Sequence, residues 1–269
     1  MWKKREVWAV VVAAGRGRRM AAPRPTAKRG SRRAVRPRRA GRPKALVPLG
    51  GKPLFLWSVD LFASVPAIDG ILVAAPPDKV ATLEGVLRRR AGAIRPALSV
   101  IPGGRRRQDS VRKALEWCQG SGLPHDAIVL IHDAARPLLD VAVVRRCLGP
   151  FGNGRFHGCV VPVLEVEDTL KRVRGRWIID TLDRKGIARA QTPQALLLGL
   201  GLALHHVARE EGVLATDEAS LAEHAGLPVR AVPGDPENLK ITTPWDLHLA
   251  ENILRSRRGE VRPRRRIDG

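Results

Sequence analysis

Hydrophobic positions along the chain fall into short continuous runs, separated by stretches with helical spacing. The runs Val7–Val12, Gly70–Ala75, Leu98–Ile101, Ala127–Ile131, Gly158–Val163 and Pro228–Val232 are predicted strands. Helices are predicted at Leu54–Ala63 (opened by Pro53), Asp78–Arg90, Arg107–Cys118, Asp140–Leu148 and from about Gln194 to Glu210. A short helix should follow Asp217, and another should run from Pro244 to about Arg255. Most strand runs are apolar without alternation, which means that both faces are covered. Strands of that kind alternating with helices give an α/β architecture with a mainly parallel, doubly wound sheet. Ligands of such sheets bind beyond the carboxyl ends of the strands. The turn after Val12 and the pair His132-Asp133 after the fourth strand should therefore share one edge.

Three segments break the pattern. Residues 21–42 hold nine Arg or Lys and no acid, with Pro23, Pro25, Gly30 and Pro37 among them. Such a segment cannot bury a core and is expected to be a flexible insert. The end of the chain, 256–269, is similarly basic and is expected to be a disordered tail. Residues 164–184 follow a strand but carry Glu165, Glu167, Asp168, Lys171 and Arg172. They read as an exposed hairpin arm that turns near Gly175. Residues 1–255, insert and arm included, are expected to form one domain.

Charge adds a constraint. Lys and Arg number 48 against 26 acids, a formal net charge of +22. An excess of that size favours anionic partners, phosphorylated ligands included, but says nothing about fold. The basic insert and tail are candidates for nonspecific polyanion binding. A dedicated nucleic-acid-binding protein is a rival reading, but aromatic residues are scarce and none of the usual recognition motifs is present. Cys118, Cys147 and Cys159 are far apart and odd in number, so neither a disulfide framework nor a zinc site is implied, and a reducing cytoplasm is the expected setting. The run Val7–Ala14 is short and leads into Arg16, Arg18 and Arg19, so it reads as a buried strand rather than a leader.

The candidate chemistry sits in five places. Ala13-Ala14-Gly15-Arg16-Gly17-Arg18-Arg19-Met20 follows the first strand. Small residues there admit a ligand to the backbone, and arginine adds charge-assisted contacts to phosphate, although the same residues also make a plain basic turn. Lys44, in Pro43-Lys44-Ala45-Leu46, is either a second phosphate contact or a solvated lysine. Gly103-Gly104 precedes Arg107-Gln108-Asp109-Ser110, where Ser110 either meets a nucleotide or joins Asp109 in capping the helix. Asp133 ends a buried strand. There it must be paired, with Arg136 as one partner, or hold a metal, and Mg²⁺ beside a triphosphate takes one or two carboxylates. His132 reads as structural. The fifth set is Asp168-Thr169, Asp183-Arg184, Gln191-Thr192-Pro193-Gln194, Thr216–Ser220 and Asn238–Thr242, which singly look like turns and caps.

In this order and spacing, the motifs AAGRGRRM, PKAL, GG…RQDSV, IHDAARP, EDTLKRV, QTPQ, TDEAS and ENLKIT resemble the 2-C-methyl-D-erythritol 4-phosphate cytidylyltransferases, from about Val7 to Ile253. The resemblance implies a Rossmann-like nucleotidyltransferase fold whose β-arm dimerises, with CTP as substrate and a divalent cation, usually Mg²⁺. It implies CTP contacts from Ala13, Ala14, Gly15, Gly17, Arg19, Lys44, Gly104, Ser110 and Ala134, and metal binding by Asp133. Arg136, Thr169, Arg184, Thr192 and Lys240 would surround the polyol phosphate. Arg19, Lys44, Arg184 and Lys240 would carry catalysis, with Thr169 and Arg184 reaching the partner subunit's site. The insert leaves Lys28 as a rival to Lys44, and Arg105 stands where the family often has an acid. A ribitol 5-phosphate cytidylyltransferase is the nearest alternative.

Overall fold

The computed structural model describes residues 5–15, 43–89 and 96–259. Strand β1 (Val7–Val12) leads towards a small hairpin, β2 (Pro48–Leu49) with β3 (Lys52–Pro53), and then helix α1 (Leu54–Ser64). Strand β4 (Gly70–Ala75), helix α2 (Val80–Arg88), strand β5 (Ala97–Pro102) and helix α3 (Arg107–Gly120) follow. Next come β6 (Ile128–Asp133), α4 (Val141–Leu148) and β7 (Cys159–Glu165). The hairpin β8 (Leu170–Arg174) and β9 (Trp177–Leu182) leads to β10 (Ala188–Ala190), β11 (Gln194–Leu197) and α5 (Leu198–Glu210). The chain continues through α6 (Glu218–His224), β12 (Val229–Pro233) and α7 (Pro244–Arg257).

The central sheet has the order β10-β7-β11-β6-β1-β4-β5, with β12 on β7. Strands β6, β1, β4 and β5 pair in parallel, as does β12 with β7. Only β10 and β11 run against the others. Successive residues of β1 point to opposite faces. Val7, Ala9 and Val11 enter one apolar cluster with Phe55, Val59, Leu83 and Val144, while Trp8 and Val10 enter the other with Val111, Leu115, Leu204 and Leu221. Helices α1, α2 and α4 thus cover one face, and α3, α5 and α6 the other. This double cover is what the unbroken apolar runs predict. A third cluster packs α7 on the β2–β3 hairpin through Leu49, Leu54, Leu247 and Leu254.

Several boundaries differ from expectation. Residues 194–197 open as a strand, not a helix. All four are buried between β6 and β7, so sheet pairing takes them and the helix begins only at Leu198. The predicted helix from Asp78 starts as a 3₁₀ turn, Pro77–Lys79, and becomes α-helical at Val80. Strand β7 runs on to Glu165, so the arm is confined to a hairpin turning at Gly175 (φ +61°). The last helix reaches Arg257, whose guanidinium pairs with Glu237 and donates to the Leu138 carbonyl, so the start of the expected tail is ordered. The insert 21–42 lies outside the described residues. Among the described residues no helix is long and apolar enough to cross a membrane.

Gly70 is the tightest fit in the sheet. A Cβ there would stand 2.4–2.5 Å from atoms of the Trp8 indole, which packs on Trp117 at a centroid distance of 5.7 Å. Gly70→Ala should therefore lower unfolding stability by about 1–3 kcal/mol in urea titrations. Adding Trp8→Leu should recover part of that loss; no recovery would show that the strain lies elsewhere.

Candidate functional site

The carboxyl ends of β1, β4, β5 and β6 converge on one edge. Ala13 N–H donates to the Ala74 carbonyl at 2.8 Å, Gly103 N–H to Ala75 at 2.7 Å, and Ala134 N–H to Val12 at 3.1 Å. Backbone bonds therefore tie the first turn, the Gly103-Gly104 turn and the end of β6 to one another. A Cβ on Gly103 would lie 2.6 Å from the Ala14 Cβ, and one on Gly104 would lie 2.2 Å from the Asp109 Cβ. Glycine is needed at both positions because the chain segments touch. Gly15 is exposed, with open space around it. Gly17 and Arg19 lie outside the described residues.

Ser110 is fully buried. Its hydroxyl accepts from Gly104 N–H at 2.9 Å and donates to the Arg106 carbonyl at 3.0 Å. It shapes the glycine turn and has no hydrogen left for a ligand. The expected cap by Asp109 or Ser110 is also corrected. Arg106 holds the cap position, and Asp109, in the first turn, accepts from Arg106 N–H at 3.0 Å.

Asp133 is the centre of the edge. Its carboxylate does not pair with the Arg136 side chain, as the turn alone predicted, but with Arg107 Nε at 2.9 Å and Lys240 Nζ at 2.6 Å. The Arg136 guanidinium instead donates to the Asn238 carbonyl at 2.8 Å and the Ala190 carbonyl at 3.3 Å, leaving its Nε buried with no partner among the described residues. Burial by itself would raise the Asp133 carboxyl, but the charges of Arg107 and Lys240 hold it well below the usual carboxylate range. Asp133 is ionised at any physiological pH.

Behind Asp133 stands a second layer. The Thr192 hydroxyl accepts from Asp133 N–H at 3.1 Å and meets His132 Nδ1 at 3.1 Å, while His132 Nε2 faces the Arg136 carbonyl at 3.0 Å. The consistent assignment has Thr192 donating to Nδ1 and the Nε2–H donating to Arg136. That is a neutral imidazole, in keeping with a pKa that burial lowers to about 4. His132 is structural, as the sequence indicates, and Thr192 acts from behind the carboxylate.

Two residues with no role in the sequence reading complete the cluster. Arg107 sends its two η nitrogens to Glu218 at 3.0 and 2.9 Å. Glu218 is 1% exposed and opens α6. Gln194 fixes that helix, accepting from Glu218 N–H (2.9 Å) and Ala219 N–H (3.2 Å) and donating to Asp217 (2.8 Å). Burial works against the charge on Arg107, yet Glu218 and Asp133 raise its pKa above the ordinary value. Burial raises the Glu218 carboxyl, and the Arg107 charge opposes that rise. Motifs QTPQ and TDEAS thus meet here as scaffolding, through one glutamine and one buried acid.

The remaining expected residues lie further out. Lys44 is half-buried and opens a 3₁₀ turn, accepting at its carbonyl from Val47 N–H at 3.0 Å. Thr169 and Arg184 are exposed and flank the base of the arm, where Leu170 pairs with Leu182. None of the described hydrogen bonds or ion pairs joins either residue to the Asp133 cluster within this chain.

Known proteins resemble this chain in sequence and in fold. A profile of the 2-C-methyl-D-erythritol 4-phosphate cytidylyltransferase family matches residues 7–256. The enzyme of that name from Geobacillus thermodenitrificans is 36% identical, covering 94% of this chain and 98% of its own. The crystal structure of the Thermus thermophilus enzyme superposes with a TM-score of 0.64 at 34% identity, covering 79% of this chain and 94% of that one. A second crystal structure, of 4-diphosphocytidyl-2C-methyl-D-erythritol synthase, gives 0.71 at 27% identity, covering 93% and 99%.

Buried neutral histidines give the fold a pH signature. Burial lowers both His132 and His205 to about 4, whereas an unfolded histidine titrates near 6.5. Between those values the unfolded chain takes up protons that the fold does not. Stability is therefore complete above about pH 6.5 and falls as pH drops towards 4, by up to about 1.4 kcal/mol per pH unit for each histidine. Both His205 ring nitrogens are buried with no partner among the described residues. Urea unfolding of His205→Leu at pH 7 and pH 5 should show a clearly smaller loss than the parent; an equal loss would acquit His205.

Proposed function

The chain belongs to the 2-C-methyl-D-erythritol 4-phosphate cytidylyltransferase family, and on that premise we propose that it transfers CMP from CTP to 2-C-methyl-D-erythritol 4-phosphate. The products are 4-diphosphocytidyl-2-C-methyl-D-erythritol and pyrophosphate, on the route to isoprenoid precursors. The observation that carries this reading is the single edge where the Ala13-Ala14 turn, the Gly103-Gly104 turn, Asp133 and Lys240 meet. The names of the relatives favour methylerythritol phosphate over ribitol 5-phosphate.

In this reading CTP lies along the edge. Ala13, Ala14, Gly15 and Gly17 admit its phosphates to the backbone, Gly104 and Ala134 flank the nucleoside, and Ser110 acts through the turn that it shapes. The substrate phosphate is already an anionic nucleophile. It attacks the α-phosphorus in line, the new P–O bond forms as the bond to the bridging oxygen breaks, and pyrophosphate leaves with that electron pair. No general base is required, so the residues contribute position and charge. Arg19 and Lys44 neutralise the leaving group, while Lys240 and Arg184 orient the attacking phosphate beside Arg136. Thr192 serves by fixing Asp133.

Asp133 fits a divalent cation as one permanently ionised carboxylate at the phosphate end of the site. Each Asp133 oxygen keeps a lone pair beyond its contact with Arg107 or Lys240, so a cation can bind with both in place. Mg²⁺ suits such a place, because it takes one or two carboxylates and fills its shell from phosphate and water. When bound, it would draw charge from the CTP phosphate oxygens, with Asp133 as its protein ligand.

The arm supports a shared active site. Trp177 is 77% and Ile178 65% exposed, with Val173 and Ile179 beside them. A patch of that kind marks an interface. We assign it to a homodimer in which Thr169 and Arg184 serve the partner's site. The basic segments 21–42 and 256–269 would attract polyanions nonspecifically, most strongly at low salt. The three cysteines are free and buried, which suits a reducing cytoplasm.

Pyrophosphate release should be fastest with CTP and methylerythritol phosphate when each nucleoside triphosphate is paired with each polyol phosphate. Release with ribitol 5-phosphate alone would reverse the substrate assignment. Lys44→Ala should cut turnover on the order of a hundredfold while changing CTP affinity far less; near-normal turnover would remove Lys44 from the mechanism.

Trp177→Glu should shift the protein from dimer to monomer in sedimentation runs and lower activity with it. Mixing inactive Arg184→Ala and Lys240→Ala subunits should restore part of the activity, because half of the mixed dimers' sites regain both residues. A fully active monomer would refute the shared site.

A further inference from the structure

The mechanism above leaves the Glu218–Arg107 pair unused. Resting on that mechanism, we propose that this pair is a positioning device which sets the Asp133 carboxylate and, through it, Lys240. The alternative is that it merely ties α3 to α6.

The geometry argues for positioning. Gln194 and Asp217 fix the first turn of α6, so the Glu218 carboxylate is held by the backbone of its own helix. Glu218 then takes both η nitrogens of Arg107, at 3.0 and 2.9 Å. A planar guanidinium gripped at that end has its Nε–H direction decided. That Nε–H meets Asp133 Oδ1 at 2.9 Å, which turns Oδ2 towards Lys240 at 2.6 Å. In contact order the side chains of Glu218, Arg107, Asp133 and Lys240 are 2%, 22%, 10% and 41% accessible, so the series begins at its least exposed member and ends at its most exposed. A buried anchor is thus coupled, through Arg107 and Asp133, to the member that solvent reaches most.

Stability alone is a poor reason for such a pair. Burying charges costs solvation, and apolar residues of similar volume commonly hold two helices at least as well. Lysine in place of Arg107 would keep one positive charge but could not grip Glu218 through two nitrogens while donating to Asp133 through a third.

The test uses Glu218→Gln and Arg107→Lys in the full chain. It reads turnover, CTP affinity by calorimetry and the rate of Lys240 acetylation by mass spectrometry. Turnover should fall about tenfold or more in each variant, the range typical when a supporting partner of an active-site group is lost. CTP affinity should stay within about threefold of the parent, and Lys240 acetylation should rise at least threefold. Glu218→Gln combined with Lys240→Ala should be no slower than Lys240→Ala alone, because both act through one series. Folded variants with turnover within twofold of the parent would overturn the proposal. So would CTP affinity that falls in step with turnover, or losses that multiply in the double variant. If Glu218→Gln does not fold, Arg107→Lys decides; if neither folds, the pair is scaffolding and the proposal fails. Parent turnover tests the function itself. Should the parent prove inactive, acetylation of Lys240 still decides whether the pair positions it.

Discussion

A charged carboxylate at the end of a buried strand is the constraint around which the structure is arranged. Asp133 closes β6, and its backbone N–H, its two oxygens and the imidazole beside it all need partners inside the protein. Those partners come from far along the chain. Thr192 satisfies the N–H, Arg107 satisfies one oxygen and Lys240 the other. Each partner drags an element with it: α3 through Arg107, α6 through Glu218, β11 through Thr192 and Gln194, and the loop before α7 through Lys240. Two carboxylates and two cations balance, so the edge stays compact before any anionic ligand arrives. The same arrangement leaves Lys240 as the most exposed member of the cluster.

The architecture was legible because its signal is local. A run such as Val7–Val12 or Gly70–Ala75 is apolar on both faces, and only a strand covered from both sides asks for that. Strand β11 was not legible. Gln194-Ala195-Leu196-Leu197 runs straight into the leucine-rich α5, and four residues carry no period that separates strand from helix. What makes them a strand is the gap between β6 and β7, which only the assembled sheet supplies. The resemblance put Asp133 and Lys240 in one site, as metal ligand and substrate contact, but not as an ion pair. The link to Arg107 and Glu218 was not legible either, because that pair is separated by 111 positions and each residue also reads well as a solvated charge at a helix start.

Hydrogen-bond capacity decides between two kinds of functional residue that a sequence cannot separate. Ser110 and Thr192 sit in the right motifs and look like ligands to a nucleotide or a phosphate. Each hydroxyl has one hydrogen, and in both it is spent within the protein, on Arg106 in one and on His132 in the other. Their contribution is the shape of the Gly104 turn and the seat of Asp133. Gly103 and Gly104 show the same division of labour from the other side. They touch Ala14 and Asp109 so closely that a methyl group would part the segments. Glycine at these positions therefore reports contact within the protein as much as room for a ligand.

The arm poses the opposite problem, a structure with too little support of its own. A two-stranded ribbon is marginal in water, because it has no second layer on which to bury a face. Among the described residues β8 and β9 pair only with each other, across a register shift at Arg172/Val173. Side chains alternate along β9, so Trp177 and Ile179 point one way and Ile178 the other, and all three are exposed. Neither face is covered by the described residues. A second subunit is the economical cover, since a twofold pairing lets one apolar surface serve twice. Thr169 and Arg184 stand where the ribbon joins the body, next to Leu170 and Leu182, so a subunit that seats the ribbon also receives both residues at its edge. In the proposed dimer, the weakness of the isolated hairpin and the sharing of the site would have one cause: residues that lean on a partner's body would act where that body is.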